Sequence, residues 1–201
     1  MWEERYSGAG GYLFGTQAAA ALVENPWVLD GMRSALCVAD GEGRNSVHLA
    51  RAGLDVTAFD LSPTAVGRAR DLAAEAGVSL DLNVSRWDDW DFSRQFDLVV
   101  GVFVQFMGPE ARKAQFADLR RAVRPGGRLF LHGYRPRQVD YGTGGPPDAA
   151  NMYTEDLLRD AFGDWRIERL AEYDRDVQEG RGHSGMSALI DLVVQRPEQG
   201  A

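Results

Sequence analysis

Ala35-Leu36-Cys37-Val38-Ala39-Asp40-Gly41-Glu42-Gly43-Arg44-Asn45-Ser46 is the stretch on which the fold turns. Its apolar start is too short for a helix and runs straight into an acidic, glycine-rich turn, as a buried strand does. A helical segment, Ser46 to Arg51, follows the turn. Moving outward, Leu54 to Phe59 reads as a second strand ending at Asp60. Ser62 then caps a helix with Pro63 at its first position, and that helix reaches about Ala76 before Gly77 stops it. Val78 to Val84 forms a third strand. Phe96 to Phe103 is a continuous apolar run, expected of a central parallel strand covered on both faces. Pro109 opens a helix that ends near Val123, and Arg124-Pro125-Gly126-Gly127 reads as a tight turn into a fifth strand, Arg128 to Tyr134. This alternation implies an α/β chain of βαβ units, with a mostly parallel sheet and helices on both faces. A loop-like stretch (Asp140 to Pro147), a helix (Thr154 to Ala161) and two strands (Arg166 to Tyr173 and Ser187 to Val194) complete it.

The 201 residues are 44% hydrophobic and 26% charged, ordinary values for a globular domain with a sizeable core. We expect a single domain over 1–201, comprising an aromatic and glycine-rich arm (1–30), a cofactor-binding core (31–135) and an acceptor-side loop, helix and strands (136–201). A formal net charge of −8 argues against a nucleic-acid partner. Arg120, Arg121, Arg124 and Arg128 read as the solvated face and cationic end of one helix. No run approaches the ~18 apolar residues of a membrane span. The first residues carry charges of both signs and resemble no secretory signal, and Cys37 has no cysteine partner in the chain. A cytoplasmic setting is therefore expected.

Gly41 and Gly43 leave room for a ligand at the end of the first strand, and the following helix directs unpaired N–H groups there. Asp60, about twenty residues on at the tip of the second strand, suits a ribose diol. A dinucleotide fingerprint wants a third glycine where this chain has Ser46. Asp40 and Glu42 would repel a pyrophosphate but attract a cationic methionine moiety. These residues favour S-adenosylmethionine over NAD.

Several motifs together make the chain resemble class I S-adenosylmethionine-dependent methyltransferases, in particular the tellurite-resistance and thiol methyltransferase-like group. They are Trp2-Glu3-Glu4-Arg5-Tyr6, Phe14-Gly15, Ala39 to Asn45, Asp60-Leu61-Ser62, Arg124 to Gly127, Tyr141 to Pro146 and Glu179 to Gly185. The resemblance implies a Rossmann-like sheet of seven strands, the last antiparallel, with the cofactor across the carboxyl ends of the first four. It further implies that Asp40, Gly41 and Gly43 flank the methionine end, with Glu42, Asn45 and Ser62 also among the cofactor-binding residues. Asp60 would take the ribose hydroxyls, Leu61 would lie beside the adenine, and Arg86 and Trp87 at the adenine edge. Two positions depart from the group: Arg86 replaces a common aspartate and cannot accept the adenine amino hydrogens, which leaves Trp87 to stack. Gln105 and His132 stand where relatives often have histidine and glutamate.

The acceptor implied is a small molecule: a thiol, a chalcogen oxyanion or another metabolite, methylated by in-line displacement. Candidate acceptor-side residues are Gln105, His132, Tyr141 and His183, with Tyr134 nearby; Phe130, His132 and Tyr134 share one sheet face by alternation. No metal site is expected. His48 reads as an ordinary helical residue, and Trp2, Tyr6, Tyr12 and Phe14 as aromatics able to cover a cofactor. Two alternatives stand beside this reading: an NAD(P)-dependent oxidoreductase, and an S-adenosylmethionine-binding protein without transferase activity. The sequence leaves the oligomeric state open.

Overall fold

A computed structural model describes residues 2–198; Met1 and residues 199–201, the outer limits of the expected domain, lie outside the described residues. Strand order through the seven-stranded sheet is β3-β2-β1-β4-β5-β7-β6, the Rossmann-like arrangement expected. The chain divides into two compact units. The first runs to Asp91 and includes Glu179–Gly182; the second comprises Phe92–Gln178 and the chain from His183 onward.

In the first unit, the arm supplies two short helices, α1 (Trp2–Gly8) and α2 (Ala20–Val23). Strand β1 (Ser34–Val38) leads through the glycine turn into α3 (Arg44–Arg51), which starts two residues earlier than the pattern suggested. Strand β2 (Asp55–Asp60) lies parallel to β1, and β3 (Asp81–Val84) parallel to β2. Between them α4 (Pro63–Ala76) begins as expected: the Ser62 side chain accepts the Ala65 amide at 3.0 Å, and Gly77 ends the helix in the left-handed region. Gly43 has φ of +86°, and a Cβ there would lie 2.7 Å from the Ala69 Cβ. The glycine therefore lets the start of α3 press against α4.

In the second unit, β4 (Phe96–Val102) and β5 (Val123–Tyr134) are parallel, separated by α5 (Pro109–Ala122). The expected turn at Arg124–Gly127 is taken into β5 as an irregularity. Pairing skips from Phe96↔Val123 to Leu98↔Arg128, and the Gly126 amide donates to the Arg196 carbonyl at 3.0 Å. A short helix α6 (Gln138–Tyr141) and then α7 (Glu155–Phe162), capped by Thr154, precede the last two strands. Strands β6 (Arg166–Glu179) and β7 (His183–Gln195) are far longer than the sequence pattern indicated, and β7 runs antiparallel to β5.

Ser62→Ala should lower unfolding free energy by about 1 kcal/mol through the lost cap. Gly43→Ala should cost about 3 kcal/mol, because a clash with Ala69 adds to a strained φ. Urea denaturation of the two variants checks both values and their order.

Candidate functional site

Asp60, at the carboxyl end of β2, is the hub of the first unit. Its Oδ2 accepts the Gly41 amide at 2.9 Å and its Oδ1 the Ser62 amide at 2.9 Å. Burial raises its pKa, although the backbone donors oppose the shift. The Leu61 amide is a third such donor, and a carboxylate's four lone-pair sites leave room for one more. Asp40 accepts the Ser46 hydroxyl, whose oxygen also lies 3.1 Å from the Gly43 carbonyl. Desolvation pushes the Asp40 carboxyl up to about 7; Ser46 resists the shift and the charge of Asp60 adds to it. Two carboxylates that burial discourages from ionising make a site suited to a cation.

The neighbouring polar residues of the turn are engaged by the protein itself. Glu42 is 2% exposed. Its Oε2 accepts the amides of Leu13 (2.7 Å) and Phe14 (3.3 Å), and its Oε1 pairs with Arg68 at 2.7 Å. The carboxylate is thereby tied to the arm and to α4. Asn45 Oδ1 likewise accepts the Ala19 amide at 2.9 Å. Gly41 has φ of +63°, and a Cβ there would lie 2.7 Å from the Tyr6 hydroxyl, so the close approach it permits is that of an arm tyrosine. Tyr6, Trp2 and Phe14 form an aromatic group with centroids 6.0–6.4 Å apart. Glu3 bonds the hydroxyls of Ser62 and Thr64 at the start of α4. Arg44 pairs with Glu179 at 2.7 Å, and the Gly182 amide donates to the Leu13 carbonyl at 3.0 Å.

At the adenine edge, Leu61 is 47% exposed between buried neighbours, an apolar side chain open to a ring. Trp87 is instead buried against Phe59, with ring centroids 6.0 Å apart, so its expected role as a stacking platform does not match its packing. The Arg86 residue is exposed.

The acceptor-side candidates all fall in the second unit. The Gln105 amide clamps the Tyr134 backbone, donating to its carbonyl and accepting its amide, both at 2.7 Å. Gly133 leaves the space for that clamp. Both ends of the Gln105 side chain are engaged, so its place is in the scaffold. Tyr141 donates to Asp174 at 2.8 Å, a bond that raises its pKa. His183 Nδ1 lies 2.7 Å from the Tyr134 hydroxyl, and His132 Nδ1 lies 2.7 Å from Asp191 Oδ1. Sequence reasoning passed over Asp191, although a lone carboxylate in the apolar run Ala188 to Val194 is a legible signal. No helix among the described residues is long and apolar enough to cross a membrane.

Residues 35–127 match the methyltransferase domain family. The chain carries a methyltransferase domain. It is also 33% identical over 139 residues to Hemagglutinin 1 of Eikenella corrodens, a match that covers 66% of this chain but only 43% of that protein. A structure from work on conversion of a disulfide bond into a thioacetal group during echinomycin biosynthesis superimposes with a TM-score of 0.78. It shares 23% identity and covers 100% of this chain and 92% of its own. Magnesium protoporphyrin IX methyltransferase from Synechocystis PCC 6803, solved with bound S-adenosylhomocysteine, gives a TM-score of 0.70 at 21% identity, covering 97% of this chain and 92% of that one. Both structures share the fold of this methyltransferase domain.

The Asp40 pKa sets a pH dependence. Its native value of about 7 exceeds the ordinary 3.8, so between those values the native state binds more protons than the unfolded one. Stability from this group is therefore lost as pH rises from about 4 to 7. Thermal melts without cofactor should show a stability gain of Asp40→Asn over wild type that grows from pH 5 to pH 8. A pH-independent difference would assign the residue an ordinary carboxyl.

Proposed function

We propose that this chain transfers a methyl group from S-adenosylmethionine to a small-molecule acceptor, working as one domain in the cytoplasm. The observation that carries the reading is the pair of desolvated carboxylates, Asp40 and Asp60, at the tips of neighbouring parallel strands. Bound at Asp60 through its ribose hydroxyls, the cofactor would supply an electrophilic methyl group on a cationic sulfur. Asp40 would hold the positive end, and Leu61 would cover one face of the adenine. The Ser46 hydroxyl aimed at Asp40 works against the dinucleotide alternative, since the third glycine that a pyrophosphate requires is missing and a carboxylate stands beside the turn.

The motifs shared with the tellurite-resistance and thiol methyltransferase-like group support a soft acceptor, a thiol or a chalcogen oxyanion, among small metabolites. His132 and His183 are the acceptor-side residues we favour. Tyr141 would line the same side, while Gln105 positions Tyr134. Methyl transfer by displacement depends chiefly on alignment and on exclusion of water.

S-adenosylmethionine and S-adenosylhomocysteine should each raise the melting temperature by about 5 °C or more at a hundredfold excess over Kd. NAD and NADP should produce no shift, and the reverse pattern would replace this reading with the oxidoreductase one. Asp60→Asn should weaken S-adenosylmethionine binding about ten- to a hundredfold in calorimetry. Unchanged affinity would move the ribose site elsewhere.

A further inference from the structure

The side-chain charges gathered at the glycine turn of the first unit do not balance. Asp40 stands just past β1, Asp60 ends β2, and Glu42 separates the two turn glycines. Glu3 from α1 adds to the negative charge felt by Asp60. Two arginines are close, and each is already committed: Arg68 to Glu42 and Arg44 to Glu179, both at 2.7 Å. Among the described residues neither Asp40 nor Asp60 has an ion-pair partner. Two carboxylates without a cation mark a place that a positively charged molecule would stabilise.

The Tyr6 phenol is an independent sign that a molecule belongs there. Tyr6 is 4% exposed, and its hydroxyl lies 2.7 Å from where a Cβ on Gly41 would stand. Burial first, and then the charges of Asp60, Glu42 and Asp40, hold the proton on the phenol, so it remains a donor. Yet among the described residues that hydroxyl makes no hydrogen bond. A buried donor without an acceptor costs stability, and an oxygen of a bound molecule removes the cost.

Of these carboxylates Asp40 is the one free to answer a change in ligand charge. Asp60 is held by three backbone amides, and Glu42 by two amides and an arginine, whereas the Asp40 carboxyl bonds Ser46 alone and keeps some exposed surface. Desolvation pushes it up to about 7, so its protonated and ionised forms coexist at neutral pH. The charged and titratable groups facing it are Asp60 from β2, Glu42 from the turn, Arg44 from α3, Tyr6 from α1 and Cys37 from β1. We propose that Asp40 reads the charge on the cofactor's sulfur, giving up a proton to solvent when S-adenosylmethionine binds and regaining one after methyl transfer. The inference rests on the reading that S-adenosylmethionine binds at Asp40 and Asp60. When the methyl carbon passes to the acceptor, the electron pair of its bond to sulfur stays on sulfur, and the sulfonium becomes a neutral thioether. The cation that favoured the ionised carboxyl is then gone. The site therefore prefers the charged cofactor to its neutral product, and does so more strongly as pH rises.

Calorimetry on the full chain with S-adenosylmethionine and S-adenosylhomocysteine from pH 6 to pH 8 tests this. The two ligands differ only in the methyl group and its charge, so the ratio of their Kd values isolates the charge on sulfur. S-adenosylmethionine should bind about tenfold more tightly at pH 8 than at pH 6, because it selects the ionised fraction of Asp40. S-adenosylhomocysteine should not tighten. Near pH 6.5, buffers of different ionisation heat should reveal on the order of one proton released with S-adenosylmethionine and none with S-adenosylhomocysteine. Asp40→Asn should abolish both the pH dependence of the ratio and the released proton. Ser46→Ala removes a bond that favours the ionised carboxyl, and should move the midpoint of the S-adenosylmethionine curve to higher pH. A ratio flat with pH in the wild type overturns the proposal and leaves the cofactor reading standing, as does a pH dependence that survives Asp40→Asn. If Asp40→Asn binds neither ligand, an unmoved midpoint in Ser46→Ala overturns it. Absence of binding by either ligand to the wild type removes both readings.

Discussion

The carboxylate of Asp60 accepts one amide from the glycine turn after β1 and another from the start of α4. Two strand ends and a helix start are fixed relative to one another by a single side chain. Such charge-assisted bonds to backbone N–H groups are stronger than neutral ones, and they oppose, without cancelling, the cost of burying the charge. The arm is fastened at the same two places. Tyr6 lies over Gly41, and Glu3 reaches Ser62 and Thr64 beside the second amide. Burial and the nearby carboxylates Asp60, Glu42 and Asp40 raise the Tyr6 pKa, so the phenol stays protonated where negative charge gathers.

This arrangement explains which part of the site was legible. The placement of Asp60 and Asp40 at neighbouring strand ends could be read from local order, because strand, turn and helix follow one another within some 30 residues. The bonds of Glu42 and Asn45 could not. Their partners are backbone amides of Leu13, Phe14 and Ala19, 26 to 29 residues upstream in a segment without regular patterning. An acid in a nucleotide-type turn looks the same in sequence whether it faces a ligand or an arm. The glycines pose the same ambiguity: the missing Cβ at position 41 makes room for Tyr6, and the one at 43 for Ala69. Trp87 suited an adenine edge by type, but Phe59 at the end of the adjacent strand claims its ring.

The last two strands were hard to delimit for a different reason. Apolar periodicity finds a strand when one face is greasy, and β6 has almost no such face. Only Val177 is fully buried along it. Ion pairs take the place of apolar contacts: Glu168 with Arg128, Asp174 with Arg135 and Arg137, and Arg169 with Asp191. Charged side chains on a strand at the sheet edge also discourage pairing with other chains. In β7 the apolar pattern was clear, and Asp191 interrupts it. A carboxylate placed there must be satisfied on both oxygens, and His132, Tyr173 and Arg169 do so.

Backbone strain separates the residues that must occupy a position from those that merely can. Apart from glycines, only Ala39 and Phe103 among the described residues have positive φ, at +47° and +56°. Each immediately follows the last residue of a parallel strand, where glycine would remove a penalty of roughly 1–2 kcal/mol. The surrounding ladder holds both in place. The Asp40 amide donates to the Phe59 carbonyl at 3.0 Å, and the Phe103 amide to the His132 carbonyl at 2.8 Å. At Ala39 the left-handed residue turns the chain sharply out of β1 and into the Asp40–Gly41 turn. At Phe103 glycine would relax the backbone but delete the ring that touches His132, Tyr134 and His183 together. A bulky residue kept in a conformation that costs energy is best explained by what its side chain organises, and here that is the only cluster of imidazole groups among the described residues.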